Sequence, residues 1–266
     1  MSARILLAVL ALAAVVAPAE ARDTSDVFRP IRAGESITIR PDKAYLLIRI
    51  ARRGTTQDPV ILREPDSAES AAFEAARGAA FARKGSKGDI AAFVFDYAGT
   101  PNLFIMSYGK AIAGDKAEAM VLAEVRPGNY VLYGQGYANI LYLCHCLGTV
   151  GFDAPAGIVT DLGTYLSDQA AKPSVYPELA SESNIGPTAR MDFILAVGGL
   201  VPAGQSASLP PGIERTLVKP ASFHAIGPFV DPNVMHINRL APIPGVLRYD
   251  GGKVIDVASG REALPR

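Results

Sequence analysis

Tryptophan is absent from this 266-residue chain, cysteine occurs twice and histidine three times. Zinc sites usually take four ligands at recognisable spacing; a Cys144/Cys146 thiolate pair would need further ones, the only histidines beyond His145 are His224 and His236, and Cys-x-Cys alone is a weak version of that signal. There is no Gly-x-Gly-x-x-Gly after a strand, no phosphate-binding loop, no His-Glu-x-x-His and no calcium loop, which argues against nucleotide, nicotinamide and metalloprotease chemistry. Charge of either sign is not in excess: 26 Lys and Arg balance 26 Asp and Glu. With no basic run, the chain carries no electrostatic footprint for nucleic acid or an anionic membrane. The longest apolar run after the N-terminal segment, Phe193 to Val201, is about half of the roughly 20 residues that cross a bilayer, and Gly198 and Gly199 interrupt it. No internal repeat is present.

The N-terminus reads as an export signal. Arg4 gives the charge, Ile5 to Val16 the apolar run, and Ala19-Glu20-Ala21 the small-x-small cleavage site, so residues 1–21 are expected to be removed. This places the mature protein in the periplasm or outside the cell, with no integral membrane segment after cleavage. A content of 49% hydrophobic and 20% charged residues is enough for a sizeable core.

Residues 22–34 read as a loose leader, with Pro30 and Gly34 against regular structure. From residue 35 strand signals dominate: Ser36 to Arg40 alternates, Ala44 to Ala51 is apolar on both faces, and Pro59 to Arg63 is short and β-rich. Asp89 to Tyr97 and Leu103 to Tyr108 read as a hairpin, followed by strands at Ala119 to Val125, Tyr130 to Tyr133, Ile140 to Phe152 and Ile158 to Leu162. The one helix signal is the capping box Asp66-Ser67-Ala68-Glu69 before an Ala-rich segment, stopped by Gly85. Its apolar face is weak, which places it at an edge or end of a sheet. Short strands, frequent turns and one short helix describe a mainly β protein, an antiparallel Greek-key β-sandwich over residues 35–166. Residues 167–266 are punctuated by proline yet stay apolar, as an irregular extension packed on the sandwich would, with a terminal hairpin about Asp250-Gly251-Gly252.

The stretch Val125 to Gly163 organises the rest. Pro127-Gly128-Asn129-Tyr130 after a hydrophobic residue has the layout of a tyrosine corner, which gives Tyr130 a structural role. Beyond it lie Cys144 and Cys146. On an extended strand both thiols face one side and His145 the other, so the three cannot share one ion. Residues two apart on a strand stand about 6.6 Å apart, near the outer limit of about 6.8 Å for bridged Cα atoms, so a disulfide needs a local bulge. Buried or bridged structural cysteines, a regulatory disulfide and a metal site all stay open for this pair. Elsewhere, Ser107-Tyr108-Gly109-Lys110 matches Ser-x-x-Lys but sits on a strand signal with no Ser-Asp-Asn or Lys-Thr-Gly to follow. Ser222, His224, Asp231, His236 and Asn238 offer a triad on paper, without a nucleophile elbow. Tyr133, Tyr137 and Tyr142 among glycines fit sheet packing better than a sugar groove, the lack of tryptophan counting against the latter.

Cys144 to Phe152, Gly157 to Gly163 and Arg239 to Leu247 together resemble exported alphaproteobacterial proteins of unknown function. That resemblance spans most of the mature chain and implies a tied-down C-terminal extension. The Pro-Gly-x-Tyr corner resembles immunoglobulin-like and carboxypeptidase-regulatory-type sandwiches, which implies a fold only. The expectation is an exported, non-enzymatic β-sandwich protein that binds an envelope protein or glycan, with no cofactor, no catalytic residue and no metal ligand assigned. The alternatives are a serine-type hydrolase at Ser107 or His224, and a metal or redox protein using Cys144 and Cys146.

Overall fold

The computed structural model describes residues 27–51, 57–95, 97, 99–115, 117–137, 141–169, 196–229 and 236–264. The export signal, Asp231 and the start of the run at Phe193 lie outside them. In chain order the elements are β1 (Phe28–Pro30), β2 (Ala44–Ala51), β3 (Asp58–Arg63), α1 (Ser67–Lys84), β4 (Leu103–Ile105), β5 (Ala113–Gly114), β6 (Glu118–Val125) and β7 (Gly128–Tyr137). There follow β8 (Leu141–Cys144), β9 (Thr149–Ala154), β10 (Val159–Gln169), β11 (Ala196–Val201), β12 (Val218–Pro220), β13 (His224–Ile226) and β14 (His236–Ile237). The last three are β15 (Leu247–Asp250), β16 (Lys253–Asp256) and β17 (Arg261–Glu262).

The fold is mainly β. One sheet runs β1-β6-β2-β10-β11 with β5 and β12 attached, a second runs β13-β9-β7-β3-β4 with β8 and β14, and β15-β16-β17 form a small third. The first two sheets share one core. Ala44, Leu46, Ile48 and Ile50 alternate inward from β2, and they meet Ile61, Tyr130, Leu132, Val150 and Phe152 of the other sheet. Consecutive strands cross between sheets in Greek-key manner: β2 pairs with β6 while their successors β3 and β7 pair with each other. Pairing is not purely antiparallel, because β10 runs parallel to both β2 and β12, and β14 parallel to β8.

The other face of β2 is covered as well. Tyr45 and Leu47 pack with Leu122 and Val159, and Ile37, Ile39, Leu209 and Ile213 lie over them. The alternation at Ser36 to Arg40 thus reports one-sided burial, but that segment lies across the sheet and joins no ladder. The Tyr45 hydroxyl explains its position: it donates to Glu124 at 2.9 Å and accepts from the Arg40 amide at 3.1 Å. Under the same cover, Arg49 makes a two-pronged bond to Asp161 at 2.7 and 2.9 Å. Asp161 is aimed there by a break in register between Asp161 and Thr164. Gly163, at φ 90°, makes that bulge, and its amide donates to Asp161 at 3.0 Å.

Three further expectations are corrected. The segment from Asp89 forms no strand; Ile90–Ala92 is a 3₁₀ turn capped by the Asp89 carboxylate. Phe93, Phe95 and Tyr97 place their rings against Phe73 and Phe81 of α1, so the apolar side of this segment is satisfied by the helix instead of a sheet. The leader is ordered from Val27: β1 pairs with β6, and Pro30 sits at an edge where its missing N–H costs nothing. The C-terminal residues are woven into the sandwich, since β11 extends the first sheet beside β10 and β13 extends the second beside β9. A boundary after residue 166 therefore falls inside β10. The terminal hairpin is β15 with β16, turning at Gly251 and Gly252.

α1 has the capping box expected of it. The Asp66 side chain accepts from the Glu69 amide, Glu69 reaches back to the Asp66 amide, and Gly85 closes the other end in the left-handed conformation. Only Ala80 of the helix is buried, so α1 lies on the end of the sandwich and contributes no core layer. Among the described residues no helix is long and apolar enough to cross a membrane.

Candidate functional site

Two places bring polar and aromatic side chains together: a turn inside the sandwich, and a cleft at its end. The turn follows β8. The expected strand from Ile140 to Phe152 breaks after Cys144, and the chain turns through His145 to Gly148 before β9. That turn draws the Cα atoms of Cys144 and Cys146 to 5.1 Å, well below the spacing of an extended strand, and the two sulfurs are joined in a disulfide. Both cysteines are buried and pack with Val60 and Tyr133. His145 points the opposite way, toward Tyr165 of β10, whose hydroxyl lies 3.4 Å from its Nε2. The Tyr165 hydroxyl donates to Gln135 Oε1 at 2.5 Å. Burial pushes the His145 imidazole down to about 3, so it is neutral, and pushes the Tyr165 phenol up. Gly198 makes room for the pair, since a Cβ there would stand 2.6 Å from the Tyr165 hydroxyl and 2.7 Å from the His145 ring.

This turn also anchors the C-terminal segment. Phe229 donates its amide to Cys146 at 2.9 Å, Asn238 to Cys144 at 2.7 Å, and Leu240 to Gly148 at 2.8 Å. With both sulfurs in one bond and Cys144, His145 and Cys146 buried, the arrangement holds structure together, and of the turn it is Leu147 that reaches the surface. The thiolates that a metal reading requires are consumed in the disulfide.

The other sequence candidates do not converge. Ser107 sits at the start of the 3₁₀ turn Tyr108–Lys110. Its hydroxyl bonds the Asp58 carboxyl, which also accepts from the Tyr108 amide at 2.9 Å. Burial raises the Asp58 carboxyl, an effect partly offset by these two bonds. His224 is exposed on β13 beside Gly151, on the far side of the second sheet's order from β4, near Ser107. It faces Asp256 electrostatically. Tyr133 packs against Phe229, while the side chains of Tyr137, Tyr142 and His236 fall outside what the structure describes. Tyr130 donates its hydroxyl to the Arg126 carbonyl four residues upstream at 2.5 Å and stacks on Phe152, fixing the crossing from β6 to β7.

The cleft lies just above that corner, between the first turns of α1 and the loop 97–102, and has a volume of about 1000 Å³. Its floor is Arg63, Arg126 and Val27, one wall is Glu69, Ser70 and Phe73, and the other is Tyr97, Thr100, Pro101 and Asn102. The charged groups answer one another: Glu69 bonds Arg63 at 2.7 Å and Arg126 at 3.5 Å. The bond from Arg63 holds the Glu69 carboxyl below its ordinary range. Tyr97 meets the Phe73 ring edge-on at 5.0 Å and keeps 39% of its surface exposed. Sequence reasoning missed this site. Its only trace was an amphipathic segment whose rings were assigned to a sheet when they face a helix. No family model, curated protein or solved structure matches the chain.

Proposed function

We propose that this chain is an exported, non-enzymatic, immunoglobulin-like β-sandwich protein of the periplasm or cell exterior, which binds another component of the cell envelope through the cleft beside α1. The cleft carries the reading. Its volume is typical of ligand sites, and it is lined by aromatic and proline side chains with a few polar residues among them. Export is supported by residues 1–21 and by a disulfide of the kind that persists in oxidising compartments. The resemblance to exported alphaproteobacterial proteins points to the same location. The non-enzymatic reading is supported by Ser107 being engaged with Asp58 and by His145 being sealed in the core.

Affinity capture from native envelope is the test, with the wild-type chain beside Tyr97→Ala/Asn102→Ala. One component should be retained by the wild type and lost by the double variant. Capture that ignores both substitutions contradicts the cleft. A serine-directed probe that labels one serine of the folded protein, and not the heat-denatured one, contradicts the non-enzymatic reading.

A further inference from the structure

Resting on that binding site, we infer that the ligand is an uncharged oligosaccharide. Four charged side chains line the cleft, and their formal charges sum to zero: Arg63 and Arg126 against Glu69, which bonds both, and Glu74, which bonds the neighbouring Arg77. A charged ligand would have to break pairs already made, so the cleft offers little to an ion. At the N-terminus of α1 the Glu69 amide is already taken by the Asp66 side chain.

What remains is the chemistry of sugars. Ser70, Thr100, Tyr97 and Asn102 line this space, and their hydroxyl and amide groups are of the kind that bonds sugar hydroxyls. Among them stands the Tyr97 ring, of the kind that covers the C–H face of a pyranose; the Phe73 ring it meets edge-on already has Arg77 over it. With no tryptophan in the chain, Tyr97 is the exposed ring available here. An extended peptide would want free main-chain groups to pair with. Those bordering the cleft are used: Arg63 donates to Asn102 at 2.7 Å, Glu64 to Asn129 at 2.8 Å and Arg126 to Val27 at 3.4 Å.

Isothermal titration of the full chain with neutral hexasaccharides tests this, using α-1,4-glucose, β-1,4-glucose and β-1,4-N-acetylglucosamine chains. A hexagalacturonate and a capped neutral hexapeptide serve as comparators. At least one neutral sugar should bind, with an affinity unchanged within twofold between 50 and 500 mM salt, about tenfold weaker in Tyr97→Ala and several-fold weaker in Thr100→Ala. Failure of every neutral sugar, preference for the uronate or the peptide, or indifference to both substitutions overturns the inference. If envelope capture still depends on Tyr97 and Asn102 while no sugar binds, the ligand class is wrong and the binding site stands. If capture also ignores the cleft, both fall.

Discussion

At the turn after β8 the Tyr165 hydroxyl stands within bonding reach of both the Gln135 amide and the His145 ring, all three buried. At the cleft Tyr97, Ser70, Thr100 and Asn102 line an open space, their side chains drawn from a helix and a loop. The same residue types are used in opposite ways: polar ends that meet each other fix a fold, and polar ends held apart on a rigid rim are left for a ligand. The difference is one of layering. The turn lies where β7, β8, β10 and β11 converge, whereas α1 rests on the sandwich end and buries a single residue.

The comparison breaks most visibly where interior charge is exposed. Asp161→Ala takes from the buried Arg49 its two-pronged partner, leaving the longer contact to Glu118 at 4.0 Å and the Ser208 carbonyl, and should lower the unfolding free energy by about 3 kcal/mol in urea titration; a loss under about 1 kcal/mol would mean the pair is hydrated and the interior less closed than described. The next effect comes from acid. His145 is held neutral in the fold, well below its ordinary value, so its contribution is fully present above pH 6.5 and is lost as pH falls toward 3. Between pH 7 and 5, above the ordinary carboxylate range, stability should fall by about 2 kcal/mol, and His145→Gln should flatten that slope. The raised Asp58 carboxyl acts in the opposite sense, contributing stability at low pH that is lost as pH rises. Gly198→Ala, which drives a methyl into Tyr165 and His145, should cost about 1–3 kcal/mol. Tyr130→Phe removes one hydroxyl bond to the Arg126 carbonyl and should cost about 1 kcal/mol, read as a small shift in denaturation midpoint. At the cleft, Tyr97→Ala/Asn102→Ala should cost about 0.5–1.5 kcal/mol, the value of the edge contact between Tyr97 and Phe73, with the fold retained.

The features legible in the sequence were those with a local cause. Asp66 and Glu69 sit three apart because a helix start needs both, and Pro127-Gly128 with Tyr130 marks a crossing whose hydroxyl bond closes within four residues. The cover on both faces of β2, announced by its unbroken apolar run, and the split of Cys144 and Cys146 from His145 onto opposite sides also follow from local sequence. What stayed hidden depends on distant partners. Nothing near Phe93 says that its ring will meet Phe81 and not a neighbouring strand. Nothing in the proline-rich C-terminal third announces that Ala196–Val201 completes a sheet begun at residue 28, because the partner strand β10 lies beyond residues 170–195. Proline spacing reads as irregularity, yet short strands fit between the prolines. The cleft was invisible for the same reason, being made by residues from 27, 63–74, 97–102 and 126 that only the fold gathers.

The most direct test of the account is amide hydrogen exchange on the full chain, with and without the envelope component it captures. Protection gained on binding should be confined to residues 63–74 and 97–102, with the turn at 144–148 already protected and unchanged. Protection that appears at 144–148 or 224–240 and leaves the α1 cleft untouched would contradict it.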